Sequence, residues 1–339
     1  MWRLACISLI GFSLSLPVAE HLYAAGEEVS PPLTFVRQFA TAQDVNSGPE
    51  PLLTQAVNAI AGPPEDPQHP PLLLQRPLAV TTDSSHRLYV TDISGAAVHV
   101  FDYLRSKYSV LKGGGPMRSP VGVAADRQGN VYVSDSTLRT VLIFDSKGKF
   151  SRYLKRPRGE ESYFDGPHGI AIDPASGHIY VCDSPRQMVI VLDRKGGLVT
   201  RIGVRSGGSD KGEFRNPTQA AISRDEIAVL DSGNTRVQIL DLRGHFRREI
   251  KVAYIDNQSG LAMDDDKNIY VSDPELNHLQ VFAPDGHMLY DFGETGTKPG
   301  QFDHISGLWV DSGHCLYIAD TNNRRVEEFR IGSGGVPGC

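Results

Sequence analysis

The sequence predicts an all-β chain folded as a six-bladed β-propeller. Three observations predict it. A short apolar-aromatic strand ending in Asp occurs six times, at 88–92, 131–135, 179–183, 227–231, 269–273 and 316–320. The terminal residues Asp92, Asp135, Asp183, Asp231, Asp273 and Asp320 lie 43, 48, 48, 42 and 47 positions apart, which is the length of one four-stranded propeller blade. The sixth repeat stops after its third strand, and a segment that reads like the absent fourth strand stands at the other end of the chain.

The bulk composition suits this architecture. The chain has 339 residues, with 34 Gly and 22 Pro to supply turns. Its core is large enough to need no metal or disulfide staple. The net charge of −6 does not advertise nucleic-acid binding. Two basic clusters, Lys147 to Arg158 and Arg243 to Lys251, read as solvated outer strands.

Residues 1–25 read as a secretory signal: Arg3 is the positive start, 4–18 the apolar run, and Ala19, Ala24 and Ala25 the small residues that follow. Cleavage after Ala25 places Tyr23 three residues upstream, a poor fit, so cleavage after Ala19 and an uncleaved anchor stay open. The rest of the chain has no candidate membrane span. The expected location is therefore secreted or periplasmic.

An N-terminal extension covers 26–75. Within it, 33–40 (LTFVRQFA) is expected to complete the sixth blade, because an unpaired blade edge would otherwise stay open. Leu52, Leu53, Ala56, Val57 and Ile60 fall at helical spacing, predicting a short helix over 51–61. Five prolines between 63 and 71 then forbid regular structure. The propeller itself spans 76–331. Its inner strands are 77–83, 120–126, 167–173, 217–223, 259–264 and 306–311, and its third strands 98–102, 141–145, 189–193, 237–241, 279–283 and 326–330. A more polar fourth strand follows in five repeats, and a Gly-rich tail, 332–339, ends the chain.

Two strings carry a family resemblance. The segments 319–326 (ADTNNRRV) and 230–238 (LDSGNTRVQ) resemble the signature of NHL repeats, and the resemblance covers about 76–331 plus the closing strand. The layout is similar to that of secreted bacterial six-bladed NHL proteins, a group that implies a fold rather than an activity. Arg236 and Arg325 belong to that repeat motif. The resemblance also brings two metal-dependent precedents. The lyase that cleaves peptidyl-hydroxyglycine holds zinc with channel histidines, and propeller lactonases hold calcium with channel Asn, Asp and Glu.

The residues themselves favour neither precedent. Catalytic zinc wants three protein ligands and an open position. The matching position of the six inner strands reads Pro77, Val121, His168, Thr218, Ser259 and Ser306, with His304 two residues before the last. Two histidines fall short of a ligand set. Asn216 and Gln258 could offer oxygen, but no carboxylate accompanies them. The six Asp residues read as turn acceptors for backbone N–H groups. The Gly-containing stretches 207–214 and 293–302 lead into no helix, so they read as connectors rather than phosphate loops. No catalytic residue, metal or cofactor is assigned.

The preferred expectation is a binding or scaffold propeller that engages a protein or peptide partner outside the cytoplasm, without nucleic acid. The alternative is a metal-dependent hydrolase or lyase acting in the channel. Turns between second and third strands, with the blade connectors, form the candidate face. Its candidate binding residues are Arg139, His168, Arg186, Asn234, Asn277, His278 and His304. Cys315 begins the second strand of blade six and Cys339 follows the third, so an oxidising compartment would join them, adding ~3 kcal/mol. Cys182, on the opposite blade, is expected to stay unpaired.

Overall fold

The computed structural model describes residues 33–45, 73–112, 114–154 and 162–332. The expected signal at 1–25, the helix at 51–61 and Cys339 lie outside them. Six four-stranded antiparallel sheets form six blades. In blade 1 the strands are Pro77–Thr82, Leu88–Asp92, Ala97–Asp102 and Lys107–Val110, each paired with the next in sequence. Blades 2 to 5 repeat this order. Each inner strand contacts the inner strands of both neighbouring blades, and the sixth contacts the first, so the ring is closed. Among the described residues no helix is long and apolar enough to cross a membrane.

Burial explains the sequence pattern strand by strand. Second strands lie between two neighbouring blades, so both of their faces are covered. All five residues of Leu88–Asp92, Val131–Asp135, Ile179–Asp183 and Ile269–Asp273 are buried. That two-sided burial gives a continuous apolar run rather than alternation. Outer strands such as Phe246–Lys251 expose alternate residues, and their sequence is polar at those places. The inner strands crowd around the axis. A Cβ on Gly169 would sit 2.6 Å from the Thr218 carbonyl oxygen of the next blade, so this position admits only glycine.

The closing strand is Leu33–Phe39, one residue shorter than expected, and it forms the outer edge of blade 6. It pairs antiparallel with Arg325–Ile331, from Leu33↔Ile331 to Phe39↔Val326, with a register shift between Phe35 and Arg37. Side chains weld the seam on both faces. Phe39 is fully buried, with its ring 5.5 Å from Phe101 and 5.8 Å from Tyr103 in blade 1. Phe35 meets Phe329 edge-on at 5.8 Å. The Arg37 guanidinium pairs with Glu328 at 3.0 Å, and Arg325 pairs with Glu327 at 3.0 Å.

Glu327 and Glu328 are buried side by side in this strand. Burial pushes both carboxyls up to about 7; the pull of Arg325 and Arg37 toward ionisation only partly offsets it. Cys182 is buried and free, as expected, and burial raises its thiol. Cys315 is buried and disulfide-bonded. The expected partner, Cys339, lies outside the described residues.

Two outcomes test the seam. Phe39→Ala should lower stability by about 3–5 kcal/mol in denaturant unfolding, because it leaves a cavity where blades 6 and 1 meet. The second concerns pH. A carboxyl whose folded pKa is raised lends stability that is complete in acid and lost as pH rises through that pKa. Calorimetric melting temperature should therefore fall between about pH 5 and pH 8, and Glu327→Gln should flatten that slope.

Candidate functional site

Each second strand ends in its Asp at one face of the ring, where the turn to the third strand and the blade connectors also lie. The Asp carboxylates organise this face. Asp135 accepts the Leu138 N–H of its own turn at 2.9 Å, and the N–H groups of Arg118 and Ser119 in the connector at 2.7 and 3.1 Å. Asp183 holds the N–H groups of Asp165 and Gly166 likewise, at 2.7 and 3.1 Å. Asp92, Asp231 and Asp320 make the same connector bond, while Asp273 accepts only from its own turn. The turn role expected of these residues is present in Asp92, Asp135 and Asp273, which accept a backbone N–H of their own turn; Asp231 and Asp320 accept the side-chain amides of Asn234 and Asn323 instead, and Asp183 makes no cap bond to its turn. The longer reach, 16 to 18 positions back along the chain, was not foreseen.

Most of the candidate binding residues serve this scaffold. In blades 4 and 6 the buried Arg236 and Arg325 pair with Asp231 and Asp320, both at 2.8 Å. Asn234 donates to the Asp231 carboxylate at 2.9 Å and to the Gly208 carbonyl at 2.8 Å. Asn277 is buried; it donates to Thr295 Oγ1 at 3.0 Å and accepts the His304 N–H at 2.5 Å. His278 pairs with Asp291 of the outer strand at 3.1 Å. These are structural bonds, so Asn234, Asn277 and His278 are not brought into one site.

Arg139 and Arg186 do converge, on Asp165. Arg186 Nε lies 2.9 Å from that carboxylate and 3.6 Å from Asp183, Arg139 touches it from outside, and Arg205 stands at 3.9 Å. Burial opposes ionisation of Asp165, but the bonds and charges of Arg186 and Arg139 outweigh it and hold the carboxyl below its usual range.

His168 occupies a different place, the mouth of the central channel. Strand register sets its equivalents: Pro77, Pro120 and Pro167 face Asp92, Asp135 and Asp183. Leu78 and Val121 therefore match His168, which corrects the expected alignment on Pro77. All three line a cavity of about 160 Å³ with Arg76, Ile93, Gln219, Asn257 and Gln258. Burial lowers the His168 imidazole below its ordinary value, so it is neutral at pH 7. His304 sits beside the mouth in a left-handed backbone conformation (φ 61°), with Nε2 at 3.3 Å from Gln258 Oε1. Toward the opposite face the channel widens to about 380 Å³ between apolar walls that include Val80, Ile170, Ile222 and Met263.

Arg76, Gln219 and Asn257 escaped the sequence reading. A signal existed for Arg76. Arg76, Ser119, Gly166, Asn216 and His304 each stand just before an inner strand, and only the closed ring brings those strands together. The zinc and calcium precedents require converging donors. Among the described residues no three His, Cys, Asp or Glu side chains come together in that way.

The NHL repeat profile matches residues 164–192, the segment that carries His168, Asp183 and Arg186. The chain is a six-bladed β-propeller that carries an NHL repeat. This NHL propeller is 29% identical over 101 residues to human NHL repeat-containing protein 3, covering 29% of each chain. Over 145 residues it is 30% identical to rat peptidylglycine alpha-amidating monooxygenase, covering 40% of this chain and 15% of the relative. It thus spans less than a third of either relative's length. A gluconolactonase from Xanthomonas campestris superposes with a TM-score of 0.60 at 16% identity, over 76% of this chain and 86% of that one. This last likeness is one of fold.

The two arginines at Asp165 should separate on mutation. The Arg186 side chain is 9% exposed, so Arg186→Ala removes the arginine from the buried Asp183 and the part-buried Asp165 and should cost about 3–5 kcal/mol in chemical denaturation. The Arg139 side chain is 54% exposed, and Arg139→Ala should cost about 0–1 kcal/mol in the same measurement.

Proposed function

We propose that this NHL propeller is an extracytoplasmic binding protein that engages a peptide or protein segment through the face carrying the channel mouth. The observation behind this reading is that His168 and Gln219 line the mouth without a side-chain hydrogen-bond partner among the described residues. Elsewhere on this face Asn234, Arg236, Asn277 and Arg325 are engaged in holding connectors. Half-buried polar groups with no internal partner are suited to an external one.

The surrounding loops suit the same role. Val204, Tyr254 and Leu276 are exposed on connectors and turns of this face, at 37%, 39% and 56%. They offer apolar contact around a polar centre, the usual anatomy of a recognition surface. The Asp carboxylates hold the connectors in place, so little ordering is needed on binding. The signal-like N-terminus supports a site outside the cytoplasm. The hydrolase or lyase alternative lacks a converging donor set among the described residues.

A photoreactive amino acid at Leu276, on this face, should give a discrete cross-linked product in intact source cells. The same group at Leu104, 65% exposed in a turn on the opposite face, should give none. Products from position 104 and none from 276 would sink the reading.

A further inference from the structure

We propose that the channel mouth is a receptor for a carboxylate group, with Arg76 as its charge anchor. The proposal rests on the binding reading above and names the chemistry of the ligand.

The argument is a count of donors and acceptors. A guanidinium can only donate. Arg76 donates to Gln258 Oε1 at 3.0 Å, so Gln258 turns its oxygen to Arg76 and its NH₂ elsewhere. His304 Nε2 shares that oxygen, which places a proton on Nε2. Asn216 Nδ2 donates to Asn257 Oδ1 at 2.5 Å, so Asn257 likewise keeps its NH₂ available. The His168 ring and the Gln219 amide have no partner among the described residues. The mouth therefore presents N–H groups in excess. An ionised carboxylate is an acceptor only, with about four lone-pair sites, and complements such a set.

Charge points the same way. Among the described residues no carboxylate pairs with the Arg76 guanidinium. The neighbouring acids are engaged. Asp92 accepts the N–H groups of Gln75 and Arg76, Asp256 those of Gln258 and Ser259, and Asp303 the Asn322 amide. Arg76 is the one charged side chain among those lining the mouth, and a single positive charge matches a monoanion better than a phosphate dianion. Size narrows the class further. A space of about 160 Å³ holds about five water molecules, enough for a carboxylate and a few carbons. Leu78, Ile93 and Val121 also line this space and offer apolar contact to an alkyl group. Both a free short-chain acid and the C-terminus of a peptide carry this chemistry.

The test is proton–carbon NMR of the His168 and His304 ring resonances in the full chain at constant ionic strength. The probes are sodium acetate, N-acetyl-alanyl-alanine, and the C-terminal amide of that dipeptide. Saturable shifts with a free acid are expected, with the amide weaker by about tenfold or more. Arg76→Gln should weaken the acid by about tenfold, with an unchanged melting curve, because the side chain is exposed and holds one internal bond. Acetate binding as tightly as the peptide acid identifies a short free acid as the ligand. Tighter peptide binding identifies a chain terminus. Equal binding of acid and amide, unaltered binding by Arg76→Gln, or no saturable shift with either acid overturns the proposal. A cross-linked product at position 276 alongside such a result would leave the broader binding reading standing without its carboxylate.

Discussion

A carboxylate at the end of each second strand holds this ring in register. Its oxygens accept N–H groups from two places: in five of the six blades the connector that delivers the inner strand, and in blades 1, 2 and 5 the backbone of the turn it opens. Without it, connector amides near the channel would be buried unpaired, a cost of about 1–3 kcal/mol for each group. The same carboxylate thus sets where each inner strand starts. Blades 4 and 6 add an arginine on the carboxylate, which ties the third strand to the same point. Blade 5 departs from the pattern: Asp273 accepts only from its own turn, and Asp256 caps the connector instead. A second group of aspartates does related work at the other face. Asp126 accepts the Gln128 and Asn130 N–H groups at 2.9 Å and the Tyr132 hydroxyl at 3.1 Å, and Asp83, Asp264 and Asp311 bond their tyrosines in the same way.

Ring closure is the other constraint. Five blades are built from contiguous sequence. The sixth takes its outer strand from the opposite end of the chain, so its stability depends on a pairing across nearly 300 residues. Phe39 and Phe35 supply apolar packing on the two faces of that strand, and Arg37 supplies a charge to the buried Glu328. Two adjacent buried carboxylates are a costly feature at neutral pH. Their arginine partners recover only part of the desolvation, which is why both carboxyls titrate far above their ordinary range.

The two ends of the channel differ in character. One is a broader space with aliphatic walls such as Val80, Ile170 and Ile222 and with Asp83, Asp126, Asp264 and Asp311 also in its lining. The other is a small polar mouth where Arg76, His168, Gln219, Asn257 and Gln258 meet. The carboxylates nearest the mouth are engaged in backbone and amide bonds, so their neighbours keep donors free. The scaffold and the candidate site are in this sense two uses of one set of hydrogen-bonding groups, and the mouth is what the scaffold leaves unpaired.

The sequence by itself determined the six repeats, their boundaries and the strand swap at the chain ends. Those features follow from local chemistry: an apolar run where both faces are covered, an Asp where a turn begins, a blade lacking one strand. It also marked Arg236 and Arg325 as parts of the repeat, and Cys182 as unpaired. Only the tertiary structure decided which polar residues are available to a ligand. Asn234, Asn277 and Arg186 look from sequence like exposed loop residues, yet each is bonded to groups brought from elsewhere in the ring. Arg76 stands just before an inner strand like any connector residue, yet the closed ring sets it beside Gln258, 182 positions away. Repeat periodicity places a residue within its own blade. The channel mouth is made by six blades at once, and which side chains remain unpaired there depends on neighbours that only ring closure brings together.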